Sequence, residues 1–253
     1  MNTDIFRLDG EVALVTGSSR GLGAAMATAL AEAGADVVLH DRCCAGDTER
    51  AIREKTRVRT KCIVADLSDR AESMRLVTEA VEAMGKVDIL VNNAGIIRRA
   101  PATDHKDLDW DEVLEINLTA VFRLCRAAGA RMVAQEHGKI INIASLLSFQ
   151  GGVTVPSYAA AKGGVAQLTK ALANEWASKG VNVNAIAPGY MRTDNTKALV
   201  EDPVRCRQIT ERIPAGRWGE PTDLAGPVVF LASKASSYLN GHVLVVDGGW
   251  MGR

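Results

Sequence analysis

No apolar run in this 253-residue chain approaches the ~20 residues needed to cross a bilayer, so no membrane-spanning helix is expected and the chain reads as cytoplasmic. Charge of one sign is also missing. Thirty Lys and Arg balance thirty Asp and Glu, and a net charge of zero provides no electrostatic footprint for nucleic acid or an anionic membrane surface. Cysteine is scarce and odd in number. Cys43, Cys44, Cys62, Cys125 and Cys206 lack the spacing of a disulfide framework or a zinc site, so reduced thiols packed as small hydrophobes are expected. The four histidines, His40, His105, His137 and His242, are scattered without a partner at metal-ligand spacing; surface or hydrogen-bond-satisfied rings are expected, and no metal. Repeats, linkers and low-complexity blocks are lacking too. One domain over residues 1–253, long enough to bury a large core, follows, and small-molecule partners are favoured.

What is present is alternation. Strand-length runs rich in Val, Ile and Leu ("EVALVTG", "DVVLH", "KCIVADL", "VDILVNN", "KIINIAS", "VNVNAIAPG", "HVLVVDGG") recur between segments of helical period. Continuous apolar strands separated by helices predict a doubly wound α/β fold of Rossmann type, a parallel sheet covered by helices on both faces. Over residues 193–219 the periodicity fades and prolines and arginines accumulate; a substrate lid or an ordinary surface excursion would each account for that.

The first strand runs into "TGSSRGLG". Gly17, Gly21 and Gly23 allow a sharp turn and close approach of a pyrophosphate to the N-terminus of the next helix. The second strand ends at Asp41, where an acid would accept hydrogen bonds from the adenosine ribose and repel a 2′-phosphate, which favours NAD. Arg20 in the turn and Arg42 after the acid could instead pair with a 2′-phosphate, so NADP stays open.

The segment "VPSYAAAKGGV" places Tyr158 and Lys162 four residues apart, on one helix face in an otherwise bland run. A lysine ammonium beside the phenol would lower a pKa near ~10 and make the tyrosine usable as an acid or base. On their own the two residues could equally be an incidental surface pair. Thirteen positions upstream, Ser145 ends a strand, at the edge where parallel sheets bind ligands.

Taken together, "TGSSRGLG", "NNAG" (Asn92 to Gly95), Asn117 in "EINLTAVF", Ser145, "YAAAK" and "PGYMRT" (Pro188 to Thr193) resemble, in order and spacing, the motifs of the short-chain dehydrogenase/reductase family. The resemblance implies a catalytic set of Asn117, Ser145, Tyr158 and Lys162. In it Tyr158 exchanges the proton with the substrate carbonyl, Ser145 holds that oxygen, Lys162 lowers the phenol pKa and binds the nicotinamide ribose, and Asn117 anchors a water relay. It further implies that Asp66 contacts adenine, that Asn93, Gly95 and Pro188 line the dinucleotide, and that Thr193 meets the carboxamide. Symmetric tetramers are common in the family, so a homotetramer is expected.

Longer stretches, among them "NNAGIIRRAPA", "SLLSFQGGVTVPSYAAAKGGV" and "RIPAGRWGEPTDLAGPVVFLAS", are similar to the family's 2-dehydro-3-deoxy-D-gluconate 5-dehydrogenase subgroup, also called 2-deoxy-D-gluconate 3-dehydrogenases. That likeness implies a sugar-acid substrate. A carboxylate calls for a bidentate cation, and Arg98, Arg99 and Arg192 are the candidates. Gln150 is placed either to meet sugar hydroxyls or to cap backbone. A 3-oxoacyl-thioester reductase or a gluconate 5-dehydrogenase would share the same motifs. A non-catalytic nicotinamide-binding regulator would be expected to have lost one of the four catalytic residues, and this chain has lost none.

Overall fold

The seven aliphatic runs become seven strands, of which the central ones are buried on both sides and gain about 1.5–3 kcal/mol for every large side chain withdrawn from water, while the edge strands are partly exposed. The computed structural model describes residues 3–253. In chain order the main elements are β1 (Val12–Thr16), α1 (Gly21–Glu32), β2 (Asp36–Asp41), α2 (Gly46–Lys55), β3 (Thr60–Val64), α3 (Arg70–Met84) and β4 (Ile89–Asn92). Then come α4 (Asp107–Leu114), a π-helical segment (Glu115–Thr119), α5 (Ala120–Ala134), β5 (Gly138–Ile143), α6 (Pro156–Trp176) and β6 (Val181–Pro188). The chain finishes with α7 (Lys197–Glu201), α8 (Pro203–Arg212), α9 (Ala225–Ala232) and β7 (Val243–Val246). No helix among the described residues is long and apolar enough to cross a membrane.

The sheet is parallel throughout, in the order β3-β2-β1-β4-β5-β6-β7. Successive residues of a strand face opposite sides, so β1 contributes Leu14 to one core and Val15 to the other. The first core packs Leu76 of α3, Leu124 of α5 and Val165 of α6 against the sheet; the second packs Leu30 of α1, Ile52 of α2 and Val228 of α9. Chain direction across the sheet reverses between β1 and β4, and the crevice at the carboxyl ends of these two strands is where such sheets bind ligands.

Residues 193–219 are not without regular structure. They contain α7 and α8, because Asp202 caps α8 by accepting the Val204 and Arg205 amides (2.9 and 3.1 Å) and Pro203 occupies its first turn. Ile209, Ile213 and Trp218 bury themselves with Leu146 and Trp250 in a third, smaller core.

Two readings of scarce residues need correction. Cys43 and Cys44 are exposed rather than packed, though all five cysteines are unbonded. The histidines are not all satisfied or isolated: Nδ1 of His40 and of His105 is buried without a partner, and His137 lies 3.0 Å from Glu11. Glu11, Asp88 and His137, distant in sequence, each bring a ligand atom within 4.8 Å of the others. Asp88 already accepts hydrogen bonds from the Val12 amide (2.9 Å) and Lys86 (2.8 Å), so its carboxylate is engaged within the protein.

Candidate active site

The glycine-rich turn is a cradle built by close backbone approach. Gly17 and Gly21 adopt left-handed φ of 62° and 57°. A Cβ on Gly23 would stand 2.1 Å from the Gly17 carbonyl oxygen and 2.5 Å from Nδ2 of Asn93. Asn93 locks the turn by donating to the carbonyls of Thr16 and Gly17, both at 2.9 Å, whereas Asn92 turns into the core and donates to Asn142 at 2.9 Å. Arg20, at the N-cap of α1, makes no side-chain cap bond. First-turn amides are therefore open to an anion in the crevice.

A cleft of about 310 Å³ lies over this turn. It gathers Gly17, Arg20, Gly21, Asp41, Asp66, Asn93, Gly95, Arg98, Tyr158, Lys162 and Thr193 from the sequence-derived candidates. Gly23, Asn117, Ser145, Pro188, Arg99, Gln150 and Arg192 lie outside its lining. Asp41 accepts from the Ser19 hydroxyl and from the Arg42 amide (2.7 Å). Asp66 accepts from the Ser68 amide (2.9 Å) and hydroxyl (2.7 Å), which hold its carboxyl below the usual range. Between these acids is His40, which sequence reasoning passed over. Its Nε2 faces the Ala65 carbonyl at 3.1 Å, and burial lowers its pKa, so the ring is neutral at pH 7.

Across the cleft, Asp194 forms an ion pair with Arg20 at 3.1 Å, and the Asn195 carbonyl accepts from Arg99 at 3.5 Å. Asp194 and Asn195 both line the cleft and were not singled out in the sequence, because their role depends on chain that is remote until folded. Arg20 and Arg42 both line the cleft beside Asp41, and the Arg20–Asp194 pair is exposed.

Tyr158 stands on the first turn of α6, where Pro156 opens the helix. Ser145 ends the β5 segment and caps a short 3-10 turn, accepting the Leu147 amide at 3.2 Å. Ser148 links the two elements by donating to the Lys162 carbonyl at 2.6 Å and accepting the Ser145 amide at 3.3 Å. Asn117, fully buried in the π-helical segment, brackets Ile96 by accepting its amide and donating to its carbonyl, both at 2.8 Å. Its oxygen would stand 3.1 Å from a Cβ on Gly95.

The electrostatics differ from the expectation for Lys162. Its ammonium donates to the Ile143 carbonyl at 2.5 Å and lies 5.6 Å from the centroid of the Tyr158 ring. Burial pushes the Lys162 pKa down to about 8. The Tyr158 phenol is pushed above its ordinary value by burial, with the Ser145 hydroxyl and then the Arg99 guanidinium pulling it back. Tyr158 therefore holds its proton at neutral pH, as a donor to a carbonyl must, while the Lys162 ammonium meets the face of its ring.

The remaining arginines are differently placed. Arg98 is held by Glu112 (2.8 Å) and Asp109 (3.6 Å), and Arg192 by Glu220 (3.3 Å). Arg99 has no carboxylate partner among the described residues. Gln150 does not cap backbone with its side chain; its Oε1 accepts from the Trp250 indole at 3.3 Å.

A family model described as enoyl-(acyl carrier protein) reductase matches residues 17–251. The 2-dehydro-3-deoxy-D-gluconate 5-dehydrogenases of Pseudoalteromonas atlantica and Escherichia coli are 55% and 51% identical, each comparison covering 98% of both chains. Among solved structures, a candidate 2-deoxy-D-gluconate 3-dehydrogenase from Agrobacterium tumefaciens with bound NADP is 52% identical, with a TM-score of 0.93 over 98% of this chain and 99% of that one. A gluconate 5-dehydrogenase from Burkholderia cenocepacia in complex with NADP and tartrate is 42% identical, with a TM-score of 0.94 over 99% and 98% of the two chains.

Proposed function

The chain belongs to the short-chain dehydrogenase/reductase family, and from that membership we propose that it is a nicotinamide-dependent oxidoreductase interconverting a 2,5-diketo-3-deoxy sugar acid and 2-keto-3-deoxygluconate. The observation that supports the substrate class is Arg99, a guanidinium without a carboxylate partner among the described residues, which reaches the carbonyl of the cleft residue Asn195. A sugar-acid carboxylate docked there would present its chain to the proton donor.

The glycine turn, the uncapped start of α1 and Asn93 fit a dinucleotide, since the space a Cβ would fill at Gly23 is already backbone and only glycine leaves the turn tight. Bound there, the dinucleotide supplies or accepts hydride. The protein's residues do the rest. Gly17, Gly21 and the α1 amides would hold the pyrophosphate, Asp41 the ribose and Asp66 the adenine, and Gly95, Pro188 and Thr193 would line the nicotinamide side. Tyr158 gives its proton to the carbonyl oxygen, Ser145 orients that oxygen, Lys162 serves the ribose side, and Asn117 resupplies the proton through water.

NAD is favoured because Asp41 faces the turn and Arg20 is engaged with Asp194. Relatives crystallised with NADP make a side-by-side test the natural one. Initial rates of NADH and of NADPH oxidation would be measured separately with the 2,5-diketo-3-deoxy sugar acid. Turnover faster with NADH is expected. Turnover with NADPH alone would keep the substrate and overturn the role of Asp41, and silence with both beside turnover of 5-ketogluconate would shift the reading to a gluconate 5-dehydrogenase.

A further inference from the structure

After β7 the chain returns to the loop between Ser145 and Tyr158 by a built turn. Asp247 accepts the amides of Gly249 (2.8 Å) and Met251 (2.7 Å), and Gly248 and Gly249 have φ of 65° and 93°. A Cβ at Gly248 would press on Ile213 at 2.8 Å, and one at Gly249 on Pro214 at 3.0 Å, so the turn lies flat against the end of α8. The Gly248 carbonyl accepts the Ala215 amide at 2.9 Å, and Arg253 donates to the carbonyls of Glu211 and Arg212 at 3.2 and 3.3 Å. This geometry delivers Trp250 to a buried position. Its ring lies 4.7 Å from that of Tyr190, with the Arg212 guanidinium 3.9 Å over its face.

A buried indole N–H needs an acceptor, and the one it has is Oε1 of Gln150, on the loop that joins Ser145 to Tyr158. The backbone of that loop is already closed, with the Gln150 amide donating to the Leu146 carbonyl at 3.1 Å. Only the orientation of the side-chain amide is left to settle. Because an indole N–H can only donate, it holds the amide with its oxygen toward the tail, and the two N–H bonds are what Gln150 has left to offer.

We propose that Trp250 is a positioning residue for substrate choice: by donating to the oxygen of Gln150, it fixes that oxygen toward the tail and leaves the amide N–H groups turned toward the ketone and carboxylate oxygens of a sugar acid. Those oxygens only accept, so a freely flipping amide would meet them with the wrong end part of the time. The role rests on the sugar-acid reading and on Gln150, carried by the loop between Ser145 and Tyr158, reaching that substrate from outside the cleft lining, and the experiment separates the two.

Trp250→Phe keeps an aromatic ring for Tyr190 and Arg212 and removes the N–H. Its KM for the keto acid is expected to rise by about 3- to 10-fold, with kcat and the KM for NADH within about 2-fold of the parent. Gln150→Ala should raise the same KM by at least as much, and adding Trp250→Phe to it should raise it no further. An unchanged KM in Trp250→Phe beside a raised one in Gln150→Ala overturns the positioning role and leaves Gln150 at the substrate. An unchanged KM in Gln150→Ala removes Gln150 from the substrate and the positioning role with it. Gln150→Glu covers the case of a tail that unfolds: it still accepts from Trp250 but offers no donor, so a normal KM in that variant also overturns the proposal.

Discussion

Arg98 and Arg99 are adjacent in the chain and opposite in circumstance. Arg98 is neutralised by Glu112 and Asp109 of α4, while Arg99 reaches only the Asn195 carbonyl. Arg99→Ala should therefore raise the KM for the keto acid by about 10- to 100-fold, the worth of a charge-assisted hydrogen bond, and leave that for NADH nearly unmoved. Arg98→Ala should instead cost about 1 kcal/mol or less in urea unfolding and shift neither KM appreciably. Equal effects of Arg99→Ala on both KM values would return it to a structural role. Two arginines in tandem look alike in sequence because the acids that distinguish them belong to the next helix. Tyr158 and Lys162 show the same boundary. Their spacing and shared helix were legible, but the ammonium is turned to Ile143, because a buried cation takes the nearest free carbonyl and only folding decides which one that is.

At the scale of elements, the glycine turn was the most legible feature and the π-helical segment at Asn117 the least. "TGSSRGLG" between a strand and a helix admits few backbone paths, so the positive φ values of Gly17 and Gly21 follow from composition. Gly23 is required for a different reason, the contact of α1 with the Gly17 carbonyl. Gly23→Ala should lower stability by about 1–3 kcal/mol in urea melts and weaken NADH binding more than keto-acid binding. A normal melt with normal NADH affinity would mean that the turn is looser than its contacts indicate. The π-helical turn has no compositional signature; it is held by the two bonds between Asn117 and Ile96, residues brought together by the β4 loop. Likewise α7 and α8 escaped a reading based on apolar period, since their stability comes from the Asp202 cap and from Ile209 and Ile213 packing beneath Trp218 and Trp250. Asp194 and Asn195 tie the start of this segment to Arg20 and Arg99 beside the cleft, and each exposed contact is worth only ~0–1 kcal/mol.

For the whole molecule, an even balance of charge conceals a buried one. Lys139 of β5 is 6% exposed, donating to Asn182 (2.8 Å) and Ser236 (3.4 Å), and burial pushes its pKa down to about 8. Unfolded, the same amine titrates near ~10.4, so between the two values the unfolded chain binds more protons and stability from this group rises with pH. It is fully present above the unfolded value and is lost as pH falls through about 8. Cys62 and Cys125, pushed up to about 12, act in the opposite sense above ~8.5, as the unfolded thiols ionise first. The difference in unfolding free energy between the parent and Lys139→Met isolates the lysine: it should move in favour of the parent from pH 8 to 10, by up to about 3 kcal/mol. A flat difference would show that the amine is hydrated in the folded state. The sequence by itself determined the alternating α/β architecture, the strand runs and the dinucleotide turn, because each is written in periods or spacings within one or two elements, while the four catalytic candidates came from the resemblance to the family's motifs. Only the tertiary structure decided which arginine is unpaired, where Lys162 points, how Asp194 meets Arg20 and how Trp250 holds Gln150. Those are pairings between residues tens to hundreds of positions apart, and hydrogen bonds and ion pairs depend on distances that no local pattern encodes.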